Sequence, residues 1–163
     1  MSDPKALVTR FYEAFKQKDA AKMAACYHPD IEFSDEVFVG LRGEEAAKMW
    51  QMLCERGKDL ELTLVGVEAH ADHAHANWEA RYTFSGSGRK VLNKIQATLT
   101  IEGDRIRRHQ DSFDFWRWSR QALGPAGLFL GFTPLLKNKV RGQARKGLDA
   151  FMREHPEKLI PPL

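Results

Sequence analysis

The sequence predicts an α+β domain in which helices come first and an antiparallel sheet follows. Three observations lead there. Two amphipathic helical segments precede any strand pattern, long alternating runs separated by glycine-bearing turns begin at Leu60, and a basic helical pattern closes the chain after Trp118. With 163 residues, 43% of them hydrophobic, the chain fits one compact core.

Each element follows from local pattern. Leu7, Phe11, Ala14 and Phe15 recur at helical spacing from Pro4 to a stop near Gln17-Lys18, and Asp19 reads as the N-cap of a second helix, Ala20 to Tyr27. His28-Pro29-Asp30 ends it, because a residue before proline is pushed out of the helical region. In IEFSDEVFVG the odd positions Ile31, Phe33, Val37 and Val39 are apolar and predict a strand, with Asp35 an acid inserted in its apolar face. Helical period resumes from Gly43 to Arg56 through Ala46, Met49, Trp50 and Leu53, and Gly57 stops it.

From Leu60 a strand runs until its alternation breaks at Gly66, the mark of a bulge or bend. Ala74, Ala76, Trp78, Ala80, Tyr82 and Phe84 then form one face of a long strand, and Ser85 to Gly88 turns the chain. The next strand aligns Val91, Asn93, Ile95, Ala97, Leu99 and Ile101, and after the Gly103-Asp104 turn His109, Asp111, Phe113 and Phe115 share a face, with the sheet pattern reaching Trp118. Beyond Ala122 to Phe132, Thr133 caps a final helix with Pro134 in its first turn and a stripe of Leu136, Val140, Ala144, Leu148 and Phe151. These patterns divide the chain into an α+β domain, 1–118, and a helical extension, 119–163, packed on that domain or on a partner subunit.

Composition excludes several classes. The longest weakly polar run, Ala122 to Phe132, is about half the ~20 residues of a membrane span, and Met1-Ser2-Asp3-Pro4 lacks the order of a secretory leader. A cytoplasmic location is expected. Cys26 and Cys54 have no CxxC partner and are expected as buried free thiols. Net charge is +3, but the part from Arg105 onward carries 12 Lys/Arg against 5 Asp/Glu. That asymmetry reads as a solvated helix face, and no nucleic-acid partner is expected. The HADHAH stretch spans a tight turn that splays its imidazoles, so it reads as an exposed hairpin end.

Three predicted strands place a polar group on an otherwise apolar face: Asp35, Asn93 and the His109/Asp111 pair. Each alone is compatible with a core group satisfied by backbone. Together they point to a shared cavity with convergent polar side chains, because an imidazole and a carboxylate beside apolar rings are costly to desolvate without a partner.

Residues Pro4 to about Trp116 resemble the nuclear transport factor 2-like superfamily, which includes ketosteroid isomerases, limonene epoxide hydrolase and SnoaL-like polyketide cyclases. The resemblance rests on the opening VTRFYEAFKQKDAAKMAACYHPDIEF and the last strand RIRRHQDSFDFW. It implies a cone-shaped fold, a curved antiparallel sheet wrapped around N-terminal helices. It also implies that Asp111 matches the last-strand acid/base of the cyclases and that Asp35 falls where ketosteroid isomerases keep their general base. The sequence departs from the isomerase pattern where that family has an oxyanion-hole tyrosine, since Phe11 stands there with Tyr12 beside it, and where its partner acid would be, near Ala97. WEARYTF holds no clean counterpart of the epoxide hydrolase Arg-x-Asp step.

The resemblance and the residue pattern together imply a cofactor-independent enzyme that moves protons on an apolar cyclic or carbonyl substrate. Asp111 is the expected acid/base, His109 its partner and Asp35 a base across the cavity. Asn93 and Tyr82 orient the substrate, with Trp78, Trp50 and Phe113 lining the cavity. No metal or organic cofactor is required. A non-catalytic binding or dimerisation module of the same fold is the alternative. The polar outer sheet face, Asn77, Glu79, Arg81, Gln96, Thr98 and Thr100, suits a homodimer.

Overall fold

The computed structural model describes residues 3–163, so Met1 and Ser2, at the expected start of the domain, lie outside the described residues. Helices α1 (Pro4–Lys16) and α2 (Ala20–Ala25) open the chain, capped by the Asp3 and Asp19 carboxylates, which accept from the amides of Ala6 and Lys22. Strands β1 (Tyr27–Ser34) and β2 (Leu41–Arg42) lead to α3 (Glu44–Arg56). Four longer strands follow: β3 (Glu61–His70), β4 (His73–Phe84), β5 (Arg89–Glu102) and β6 (Arg105–Ser112). Helices α4 (Phe115–Leu123), α5 (Pro125–Leu130) and α6 (Pro134–Glu154) complete the chain.

The strands form one curved, unclosed six-stranded sheet in the order β2-β1-β6-β5-β4-β3. All neighbours are antiparallel except β1 and β6, which run parallel. The bulge expected at Gly66 is present, as a register shift between Leu64 and Gly66 against β4. Strand parity follows the alternation: Ala74, Ala76, Trp78 and Ala80 of β4 and Val91, Asn93, Ile95, Ala97, Leu99 and Ile101 of β5 are all buried, most of them in the main core, with Val91 packed in a second cluster against Phe115, Trp118 and Ala122.

Three local expectations are corrected. The second helix stops at Ala25, and Tyr27 to Pro29 already belong to β1. The strand through Ile31 ends at Ser34, because Asp35 Oδ1 accepts from the amides of both Val37 (2.7 Å) and Phe38 (2.6 Å) and bends the chain away. Val39 is therefore 57% exposed and lines no strand face. The sheet pattern likewise ends at Ser112, short of Trp118: Asp114 caps α4 by accepting from the Arg117 amide, and Phe115, Trp118, Ser119 and Ala122 bury at helical spacing. Phe113, expected on the buried strand face, is half-buried between the main core and a second cluster of Val91, Phe115, Trp118 and Ala122.

The C-terminal helices pack back on the same chain. Gly127 of α5 lies so close to α4 that a Cβ there would sit 1.9 Å from the Ser119 carbonyl oxygen, which explains a glycine inside a short helix. Helix α6 begins at the Thr133 cap, as expected, and buries Leu148 and Phe151, while Lys137 pairs with Glu36 (2.6 Å), and Arg145 pairs with Glu45. The tail then passes under Arg105, whose guanidinium donates to the carbonyls of Pro161 (2.8 Å) and Pro162 (3.0 Å). Cys26 and Cys54 are buried free thiols. Among the described residues no helix is long and apolar enough to cross a membrane.

Candidate active site

His109 and Asp111 sit two residues apart on β6, so both side chains point from the same face into the cone. They are 1% and 2% exposed, and His109 Nε2 lies 2.9 Å from Asp111 Oδ1. Phe11 and Tyr12 of α1, Tyr27 and Phe33 of β1 and Trp50 of α3 surround the imidazole, with ring centroids 5.0 to 6.5 Å from its own. The packing of these five rings requires every polar atom inside them to find a partner.

The hydrogen bonds fix the proton positions. An indole can only donate, so Trp50 Nε1–H donates to the Tyr27 hydroxyl at 2.7 Å. Tyr27 then donates its own proton to His109 Nδ1, 2.8 Å away. That leaves the imidazole proton on Nε2, where it is donated to the Asp111 carboxylate, with the Tyr12 hydroxyl 3.5 Å from the same nitrogen. Burial first, then the neighbouring Asp111 charge, pushes the Tyr12 phenol well above its ordinary value, so it stays a neutral hydroxyl. Burial does the same to Tyr27, against the Trp50 hydrogen bond.

Asp35 approaches from the neighbouring strand. In the parallel ladder Phe33 pairs with His109 and Ser34 with Gln110, so Asp35 follows one step beyond, beside Asp111. Burial pushes its carboxyl up to about 7; the Phe38 amide opposes that, the Asp111 charge adds to it, and the Val37 amide opposes it. Both hydrogen bonds to this carboxyl fall on Oδ1, and Oδ2 accepts none among the described residues.

The remaining predicted residues climb the sheet away from His109. Asp111 pairs with Ala97 and Ala97 with Ala76, and the next steps toward the open end on the same face are Trp78 opposite Ile95, Asn93 opposite Ala80, and Tyr82 opposite Val91. Trp78 Nε1 is buried and has no hydrogen-bond partner among the described residues. Asn93 is buried, and Tyr82 accepts from Trp118 Nε1 at 2.7 Å, which leaves its own proton to donate. Burial raises the Tyr82 phenol, the Trp118 bond opposes this, and the Asp35 charge adds to it. Phe113 lies between the deep rings and this outer group. Trp50 is drawn instead into the ring cage, where it orients Tyr27.

Sequence reasoning missed Tyr12 and Tyr27. A signal existed for Tyr12, because it lies on the buried face of α1 with Val8 and Phe15, and a buried tyrosine hydroxyl needs a partner. Tyr27 carried none, having been read as the end of a helix.

The SnoaL-like domain family matches residues 8–109, ending one step short of Asp111. No curated protein sequence matches the chain significantly. Among solved structures, a protein of ketosteroid isomerase-like fold from Catenulispora acidiphila DSM 44928, solved with trimethylamine, is 16% identical with a TM-score of 0.65, over 81% of this chain and 100% of that one. An LEH-like epoxide hydrolase from M. tuberculosis is 17% identical with a TM-score of 0.64, over 78% of this chain and 95% of that one. An NTF2-like protein from Burkholderia thailandensis E264 is 20% identical with a TM-score of 0.67, over 77% of this chain and 100% of that one. At these identities the likeness establishes the fold.

Proposed function

The chain belongs to the SnoaL-like domain family, and from that premise we propose that it is a small-molecule enzyme that transfers protons on an apolar cyclic or carbonyl compound. The observation that carries this reading is Asp35, a carboxyl group pushed up to about 7 by burial, with the Asp111 charge adding to it and one oxygen uncommitted. A group that titrates near neutral pH can both take and return a proton at working pH. Asp111, with His109 donating to it, adds to the burial that raises Asp35. Tyr82 and Asn93 orient a substrate oxygen, Trp78 Nε1 donates to it from deeper in the cone, and Phe113 walls the same space. All of this uses side chains of the chain itself.

A second reading has its own support. Both His109 ring nitrogens and Asp111 Oδ1 are already engaged internally, as in a core network that serves stability, and the chain would then bind ligand without converting it. The two readings separate by experiment. Hydrophobic epoxides, ketosteroids and polyketide-like lactones are screened by thermal shift, where a bound ligand stabilises by RT ln(1 + [L]/Kd), and each hit is then assayed for conversion. Hits that are converted support the enzyme; hits that bind and are recovered unchanged support the binding module.

We also propose a homodimer through the outer sheet face. A shallow trough of about 390 Å³ crosses the sheet there, lined by Val65, Asn77, Glu79, Gln96 and Ser112 and also by Trp78, Lys94, Ile95, Phe113 and Asp114. Sedimentation at micromolar concentration is expected to give a dimer, and monomer alone rejects this interface.

A further inference from the structure

Helix α5 and the residues after it expose the largest apolar side chains of the molecule. Phe129 is 69% exposed, Phe132 74% and Leu135 78%, with Leu128 and Leu130 beside them. A patch of this kind on a folded domain marks a surface that meets something apolar. Its surroundings say what. No acidic residue occurs between Asp114 and Asp149. On one flank a groove of about 580 Å³ is lined by Arg89, Lys90, Arg117, Arg120 and Gln121, and on the other stands Lys139, exposed.

The two parts form one surface. The Arg120 guanidinium stacks 4.1 Å above the Trp116 ring, and Trp116 Nε1 donates to the Leu128 carbonyl of α5 at 3.1 Å, so groove and patch share a wall. Arg120 Nε is buried and without a hydrogen-bond partner among the described residues, while the side chain as a whole lines the groove.

We infer that this face docks on an anionic membrane surface, with Phe129, Phe132 and Leu135 entering the boundary between headgroups and acyl chains and the arginine groove taking lipid phosphates or carboxylates. Apolar side chains beside a basic groove match that environment, in which buried apolar area and attraction to anionic lipid add. A second copy of the chain is a poorer match, because an isologous contact would bring two basic rims together. The docked face lies on α4 and α5, and the buried side of α4 covers the Trp118–Tyr82 hydrogen bond at the outer end of the polar ladder. A compound dissolved in the bilayer would thus be delivered beside that end.

The test is co-sedimentation of the full chain with vesicles, and no readout needs turnover. Binding is expected to phosphatidylcholine vesicles containing phosphatidylserine, to be weak on phosphatidylcholine alone and to be released by salt. A Phe129→Glu/Phe132→Glu variant, changed only at exposed positions and checked for an unaltered thermal midpoint, is expected to lose about tenfold or more in affinity; Arg117→Glu is expected to weaken binding to the anionic vesicles only. Failure of the wild type to pellet with anionic vesicles overturns the inference, as does equal pelleting of wild type and the double variant. Self-association that the double variant abolishes, without vesicle binding, assigns the patch to a second copy and also overturns it.

Discussion

Asp35→Asn is expected to lower turnover by about 100-fold or more, the scale of a positioned acid/base, while ligand affinity survives. Asparagine keeps the oxygen that accepts from the Val37 and Phe38 amides, so the turn holds and only the titrating group is lost. The same substitution is expected to change how stability depends on pH. The folded carboxyl sits at about 7 against an ordinary 3.8, so between those values the native chain holds a proton that the unfolded chain has released. Its stabilising contribution is fully present below about pH 4 and is lost as pH rises through about 7. At ~1.4 kcal/mol per pH unit that window is worth at most about 4 kcal/mol. Denaturation of wild type at mildly acidic and mildly alkaline pH should reveal this decline, and the Asn variant should flatten it. Full turnover in Asp35→Asn moves the chemistry to Asp111.

The second large effect is on folding. Asp111→Ala strips the acceptor from His109 Nε2–H inside the ring cage, and leaving that buried donor without its partner costs about 1.5 to 3 kcal/mol. Asp111→Asn leaves an acceptor oxygen in place and is expected to cost about 1 to 2 kcal/mol. Urea denaturation of the two variants measures the difference. A loss under about 1 kcal/mol for the alanine variant would mean that water reaches His109 and that the cage is not sealed.

Much of this was legible before the structure. Strand parity was plain in β4 and β5, where apolar residues alternate without a slip, and the same parity put His109 and Asp111 on one inward face. The helices at the two ends of the sequence declared themselves by their caps, Asp19 and Thr133. What failed was turn chemistry. Asp35 reads by parity as a strand acid, yet its carboxyl group satisfies the backbone amides two and three residues ahead and ends the strand. FDFWRW alternates like a strand, yet Asp114 caps a helix whose buried face is spaced by three and four. The Trp50, Tyr27 and His109 relay was out of reach for another reason. Its members come from α3, β1 and β6, and only tertiary packing brings them within hydrogen-bond distance.

The central claim is that Asp35, half-buried and beside the Asp111 charge, titrates near neutral pH, and carbon-13 NMR of the aspartate carboxyl groups reads this directly in the free protein. The expected result is an Asp35 midpoint at about 7 in wild type, moving down in Asp111→Asn because one of the charges that raises it is gone. An Asp35 midpoint in the ordinary carboxylate range, near ~4, and unmoved by Asp111→Asn, would contradict it.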